Sequence, residues 1–172
     1  MTTLKAEKRS MDVKAKRLRR EGYVTGNVFG KKIQGSIPVK MEKKDVDRLL
    51  KTETKGGQIM LDVEGEVYDV LIKEVDYDAM ANQVVEIDFQ ALVSNEKVHS
   101  VAEIILENEE MVVSGVLQDE LKEVAYKALP ADLVDKIKVD VAGMKIGDTL
   151  RVKDLEIAKN KNIHITTDLE SV

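Results

Sequence analysis

The sequence predicts a mainly β fold with a few helices, an α+β chain built from two small β-rich units. Three observations carry that prediction. Short apolar runs recur along the chain, separated by polar or glycine-containing turns, which is the pattern of strands. Only short stretches near residues 10–22 and 42–51 have helical spacing. At Ser94-Asn95-Glu96 the character of the chain shifts, which places residues 1–94 in one unit and residues 95–172 in a second. A length of 172 residues suits two small domains, each large enough to bury a core.

The elements follow in order. Thr3–Lys8 alternates weakly and is expected to open the chain as a strand. A helix is expected from Ser10, the N-cap, to Gly22, with Met11, Ala15 and Leu18 on one apolar stripe. Lys16, Arg17 and Arg20 gather on its other side, flanked by Lys14 and Arg19. Tyr23–Phe29 and Ile33–Val39 read as strands joined by the basic turn Gly30-Lys31-Lys32, and Pro38 suggests a sheet edge. Glu42–Lys51 reads as a helix that buries Val46, Leu49 and Leu50. Ile59–Val63 and Glu66–Val75 form a hairpin around Glu64-Gly65. The polar connection Asp76–Gln83 leads to a strand at Val84–Val93. In the second unit, strands are expected at Val98–Leu106, Met111–Leu117, Leu121–Leu129, Ile137–Val141 and Ile163–Thr166. A turn of helix falls within Pro130–Lys136, and Lys145–Asp148 is a tight turn.

Composition removes several classes of function. With no cysteine there are no disulfides, no thiol catalysis and no cysteine-ligated zinc. No apolar run approaches the roughly 20 residues a bilayer span needs, and the opening Met1–Glu7 lacks the apolar segment of a signal peptide. A soluble cytoplasmic protein is expected. His99 and His164 lie far apart in sequence with neither metal spacing nor a nucleophile elbow nearby. Lys55-Gly56-Gly57 lacks phosphate-loop spacing and reads as a helix end. The carboxylates around Asp62–Asp78 read as a solvated acidic edge rather than an acid/base pair. The chain is therefore expected to be no enzyme, with neither cofactor nor metal.

Charge points elsewhere. The net charge of −5 conceals a polarised chain, because residues 1–55 hold 16 Lys/Arg against 7 Asp/Glu, while later segments are acidic. Lys8, Arg9, Lys14, Lys16, Arg17, Arg19 and Arg20 put seven cations into thirteen residues, opposed only by Asp12. Such a stretch repels itself unless an anion lies near, and guanidinium groups make forked contacts to phosphate. Lys31 and Lys32 follow Phe29, an aromatic able to stack on a base. This is the footprint of a nucleic-acid face. Five to seven phosphate contacts give a salt slope of roughly −4 to −6. RNA is favoured over DNA, since no helix carries the reading residues of a major-groove motif.

Lys16-Arg17-Leu18-Arg19-Arg20-Glu21-Gly22 followed by Val28-Phe29-Gly30 resembles the signature of the bacterial large-subunit ribosomal proteins that bind 5S rRNA. Val70–Val75 and Ile87-Asp88-Phe89 are similar to that family's closing strands. Leu129-Pro130, Ile137–Val141 and Ile146–Leu150 resemble the extra C-terminal domain of its longer members, the general stress protein Ctc among them. The resemblance implies an N-terminal β-barrel-like domain that docks on 5S rRNA in the central protuberance, followed by a second β-rich domain. Carried over residue by residue, it implies RNA contacts at Arg9, Lys14, Lys16, Arg17, Arg19, Arg20, Phe29 and Asp88, beside which stand Lys31 and Lys32 from the charge pattern. The implied partners are 5S rRNA and neighbouring proteins of the large subunit, with neither membrane nor DNA, and a monomer off the ribosome. Acidic residues stand at Asp12, Asp76, Asp78 and Glu86 where the family usually shows basic or neutral ones. The alternative reading is therefore a diverged stress-related paralogue or ribosome assembly factor, with weakened RNA binding, acting through protein contacts.

Overall fold

The computed structural model describes residues 2–31, 33–112 and 115–172. The chain separates into two compact units, Met1–Glu96 and Lys97–Val172. It is mostly β, as the alternation of apolar residues predicts.

In the first unit, six strands close into a barrel: β1 (Thr3–Lys8), β2 (Tyr23–Phe29), β3 (Ser36–Glu42), β4 (Gln58–Val63), β5 (Glu66–Asp78) and β6 (Gln83–Ala91). Their order around the wall is β1-β3-β2-β6-β5-β4. β1 pairs in parallel with β4 and β2 in parallel with β6, and the remaining pairs are antiparallel. Alternate residues point inward, so Val24, Val28, Val39, Met41, Ile59, Leu61, Ile72, Ile87 and Phe89 fill the interior. Gly26 stands among them because β2 runs so close to β6 that a Cβ there would overlap the Ile87 carbonyl oxygen. Helix α2 (Lys43–Leu49) adds Val46 and Leu49 to this core. The β4–β5 hairpin turns on Glu64 and Gly65, both with positive φ, as a primed turn requires.

Several sequence expectations shift. The first helix, α1, spans only Ala15–Arg20, because Lys14 is extended and the Ser10 hydroxyl accepts from the Asp12 amide to make a local turn. Leu18 is buried, whereas Met11 is exposed, so the apolar stripe shrinks to Leu18 with Ala15 half-buried. β3 begins three residues later than Ile33, and it is no edge. Pro38 pairs with Asn27 on one side, and its carbonyl accepts from the Arg9 amide on the other. The missing N–H of Pro38 falls where the β1–β3 ladder ends. Asp76–Asp78 continue β5 as one arm of a hairpin with β6, where a polar connection was expected.

The second unit holds a four-stranded sheet in the order β10-β8-β7-β9. Its strands are β7 (Val98–Glu107), β8 (Glu123–Ala128), β9 (Lys136–Asp140) and β10 (His164–Ile165). Ala102, Val124, Tyr126, Ile137 and Val139 form its core with Val152, Leu155, Ile157 and Ile163 from the covering segments. Among the described residues, Met111–Leu117 forms no strand. Glu109–Met111 is a short 3₁₀ turn instead, and β7 already has β8 and β9 as its two neighbours.

Candidate nucleic-acid interface

The outward-facing residues of β2 organise the site. Period-two alternation turns Tyr23, Thr25, Asn27 and Phe29 away from the core. Strand register then sets rows across the wall. In one row, Asn27 stands opposite Pro38 of β3 and Asp88 of β6, and Asp88 stands opposite Glu74 of β5. Arg9 joins the far end of this row through its hydrogen bond to the Pro38 carbonyl, 2.9 Å long. In the next row, Thr25 stands between Lys40 and Glu86, and Glu86 opposes Asp76. Phe29, half-buried, stands opposite Gln90 one row the other way.

Helix α1 lies over the Thr25 end of this strip, and one of its own arginines holds it there. Arg19 Nε donates to the Val85 carbonyl at 3.2 Å, and its Nη2 donates to the Thr25 hydroxyl at 3.2 Å. Thr25 is wholly buried beneath that contact. Leu18 is the helix's buried residue. The outer face is left to Lys14, Lys16, Arg17 and Arg20, all exposed. Arg17 pairs with Glu21 at 3.0 Å, but both side chains remain about half exposed or more, so this bond competes weakly with a phosphate. At the other end of the strip, Lys31 pairs with Glu96 at 3.0 Å, also in solvent. Lys32 lies outside the described residues. Six residues separate Thr25 from Lys31, so the strip runs for roughly 20 Å.

Among the described residues, two atoms on this wall are buried without a hydrogen-bond partner: Arg9 Nε, a donor, and Asp88 Oδ1, an acceptor. Buried polar atoms are rarely left so. Burial, then the Asp76 and Glu74 charges, pushes the Asp88 carboxyl up, while hydrogen bonds from the Asn27 side chain and backbone pull it down. The net displacement is upward. Glu86 is also raised, first by burial and then by Asp88 and Asp76, with Arg19 and Arg9 opposing. The wall thus combines a basic end, an unsatisfied donor and acceptor, and a local group of carboxylates.

Of the residues expected at the site, the structure brings Arg9, Arg19 and Asp88 onto one wall, with Phe29 beside them and the α1 cations at one end. Arg19 is engaged by the barrel. Asn27, Thr25 and Gln90 were not anticipated, although the alternation of Val24 and Val28 with polar residues already turned Thr25 and Asn27 outward. In the second unit, His99 and His164 flank Lys127 across three neighbouring strands.

Comparison with known proteins places the chain among its relatives. The Ribosomal L25p family matches residues 4–89, and the domain described as Ribosomal protein TL5, C-terminal domain, matches residues 97–172. The chain is similar to proteins named large ribosomal subunit protein bL25 from several bacteria. That of Bacillus velezensis is 32% identical over 177 residues, covering 100% of this chain and 86% of the relative. That of Carboxydothermus hydrogenoformans is 33% identical over 158 residues, covering 91% and 78%. That of Akkermansia muciniphila is 30% identical over 171 residues, covering 97% and 83%. A chain with this barrel, this basic helix and full-length similarity to such proteins belongs to the L25p family of non-catalytic, large-subunit ribosomal proteins, in the form that carries the TL5-type C-terminal domain.

Proposed function

We propose that the chain binds 5S rRNA in the central protuberance of the large subunit, through the outer wall of β2 and β6 and the exposed face of α1. One observation carries the reading: Arg9 and Asp88, each half-buried, stand on the same wall, and RNA supplies groups that match the accessible part of each side chain. A phosphate or base acceptor meets the guanidinium, and a base amino group or a 2′-hydroxyl donates to the carboxylate. Lys14, Lys16, Arg17, Arg20, Lys31 and Lys32 supply phosphate contacts, and Phe29 offers a stacking surface. Arg19 acts as a positioning residue that fixes the helix on the barrel. Residues 1–94 form the RNA-binding domain and residues 95–172 the second domain, in a protein that is monomeric off the cytoplasmic ribosome.

A second reading has its own support. Glu86 and Asp88 sit on one face of β6, opposite Asp76 and Glu74 of β5, and this group of carboxylates repels phosphate. It favours a diverged stress-related or assembly factor with weak RNA binding. Titration of the purified chain with 5S rRNA at about 100 mM salt separates the two. Tight binding that is lost in both the Arg17→Ala/Arg20→Ala and the Asp88→Ala variants supports the first. Micromolar or weaker binding, indifferent to those substitutions, leaves the second. Co-sedimentation with ribosomes is the companion measurement.

A further inference from the structure

In the second unit, β7 turns Val98, Ser100, Ala102, Ile104 and Leu106 to one face in succession. Burial is nearly complete only as far as Ala102. Beyond it, Ile104, Leu106 and Val139 of β9 line an open groove of about 320 Å³. Two segments without strand structure wall it, Gly115–Leu121 on one side and Met144–Leu150 on the other. The lips meet at Gly115 and Ile146, where a Cβ on the glycine would stand 2.8 Å from Ile146 Cγ1. Val116 and Ile146 project there, 90% and 76% exposed. Exposed aliphatic side chains around an apolar cleft mark an interaction surface.

Charge identifies what the surface fits. The groove is lined by the acids Asp119, Glu120 and Asp148 and the bases Lys145 and Arg151, and with the residues that adjoin the lining in sequence (107–112, 115–123, 139–155 and 168–172) the balance is eleven acids to four bases. The rest of residues 97–172 holds four acids and six bases. Three of the four framing bases already pair with nearby carboxylates: Lys122 with Asp119, and Arg151 and Lys153 with Glu170. An apolar cleft framed by excess carboxylate repels RNA, an anionic membrane and a second copy of itself. It complements a cationic polypeptide carrying large apolar side chains.

We propose that this groove docks a basic, extended segment of a neighbouring protein, in which Lys or Arg alternates with large aliphatic residues. In such a segment every second side chain points the same way, roughly 7 Å from the last. Apolar anchors enter the groove over Ile104 and Leu106, packing beside Val116 and Ile146, while the alternate cations reach the surrounding carboxylates. The inference stands independently of 5S rRNA binding, because the groove is formed within residues 97–172.

The test uses the full chain and a fluorescent peptide alternating Lys with Leu, with Glu-for-Lys and Ser-for-Leu versions beside it, followed by anisotropy at about 100 mM salt. The Lys/Leu peptide is expected to bind in roughly the micromolar range, and the other two are not. Val116→Asp and Ile146→Asp should each weaken binding by about tenfold or more, with circular dichroism unchanged because both side chains are exposed. Val116→Ser serves in place of either variant that fails to fold, and Val67→Asp, at an exposed valine of β5, should leave binding intact. Equal binding of the Ser-containing peptide, wild-type affinity in the groove variants, or no binding of the Lys/Leu peptide would overturn the proposal. So would a dimer in sedimentation that Ile146→Asp dissolves.

Discussion

Removing Arg17 and Arg20 together tests whether α1 meets phosphate with its outer face. Both side chains are exposed, and neither holds the helix to the barrel. Five described cations of the proposed interface are exposed and so free to meet a polyanion: Lys14, Lys16, Arg17, Arg20 and Lys31. With somewhat under one unit of slope per phosphate neutralised, the wild-type plot of log affinity against log salt should fall with a slope of roughly −4. The double alanine variant should fall with a slope of roughly −2.5. Between about 50 and 200 mM salt, the wild type then weakens on the order of 250-fold and the variant on the order of 30-fold. Arg19→Ala gives the contrasting case. Its hydrogen bonds to Val85 and Thr25 keep it from the phosphates. Its loss should lower affinity at every salt concentration while the slope stays within roughly half a unit of wild type. Fluorescence titration of 5S rRNA across a salt series measures all three slopes. A double variant with the wild-type slope, or an Arg19→Ala slope reduced as far as the double variant's, would refute the assignment of roles within the helix.

Gly26→Ala should destabilise the barrel by about 3 kcal/mol or more, since β2 and β6 must part to admit a methyl against the Ile87 carbonyl; a denaturant midpoint near wild type would contradict it. Tyr126→Phe should cost about 2 kcal/mol, because the buried hydroxyl accepts from the Val134 amide at 2.7 Å and donates to the Val134 carbonyl at 2.6 Å. Thermal unfolding measures this loss, and an unchanged midpoint speaks against it. Glu86→Gln should stabilise the protein most at neutral pH. Burial first, and then Asp88 and Asp76, hold the Glu86 carboxyl above its ordinary 4.5, so the folded state binds that proton more tightly than the unfolded one. The ionised group therefore opposes folding at neutral pH, and the opposition fades as pH falls through its raised value. The difference in denaturant midpoint between variant and wild type should shrink in step, and a difference that grows on acidification would count against it.

Much of the fold is legible in the sequence because inward and outward residues alternate cleanly. Val24 and Val28 against Thr25 and Asn27 mark β2 to its ends, and apolar alternation around Glu64-Gly65 marks the β4–β5 hairpin. Two elements misled for opposite reasons. Met11, Ala15 and Leu18 have helical spacing, but the local Ser10 turn and an exposed Met11 stop the helix at Ala15. Met111–Leu117 has strand composition, but its described residues pair with no strand of the sheet, where β7 already lies between β8 and β9. The interface was legible in its residue types and not in its geometry. Arg19 reads as one more cation in a run, and only its hydrogen bond to Val85, 66 residues away, separates it from its neighbours. The row from Arg9 through Pro38 and Asn27 to Asp88 depends on register across separate strands, which no local pattern encodes.

The parallel pairing of β1 with β4 gives Arg9 a further significance. Arg9 leaves the end of β1, and β1 sits between β3 and β4 as the strand that completes the wall. The guanidinium therefore reaches its place only once residues far apart in the chain have met. Asp88, on the antiparallel β5–β6 pair, needs no such closure. A chain arrested before the barrel shuts presents the acceptor half of the wall without its donor. On the RNA-binding reading proposed above, tight binding therefore requires the closed barrel.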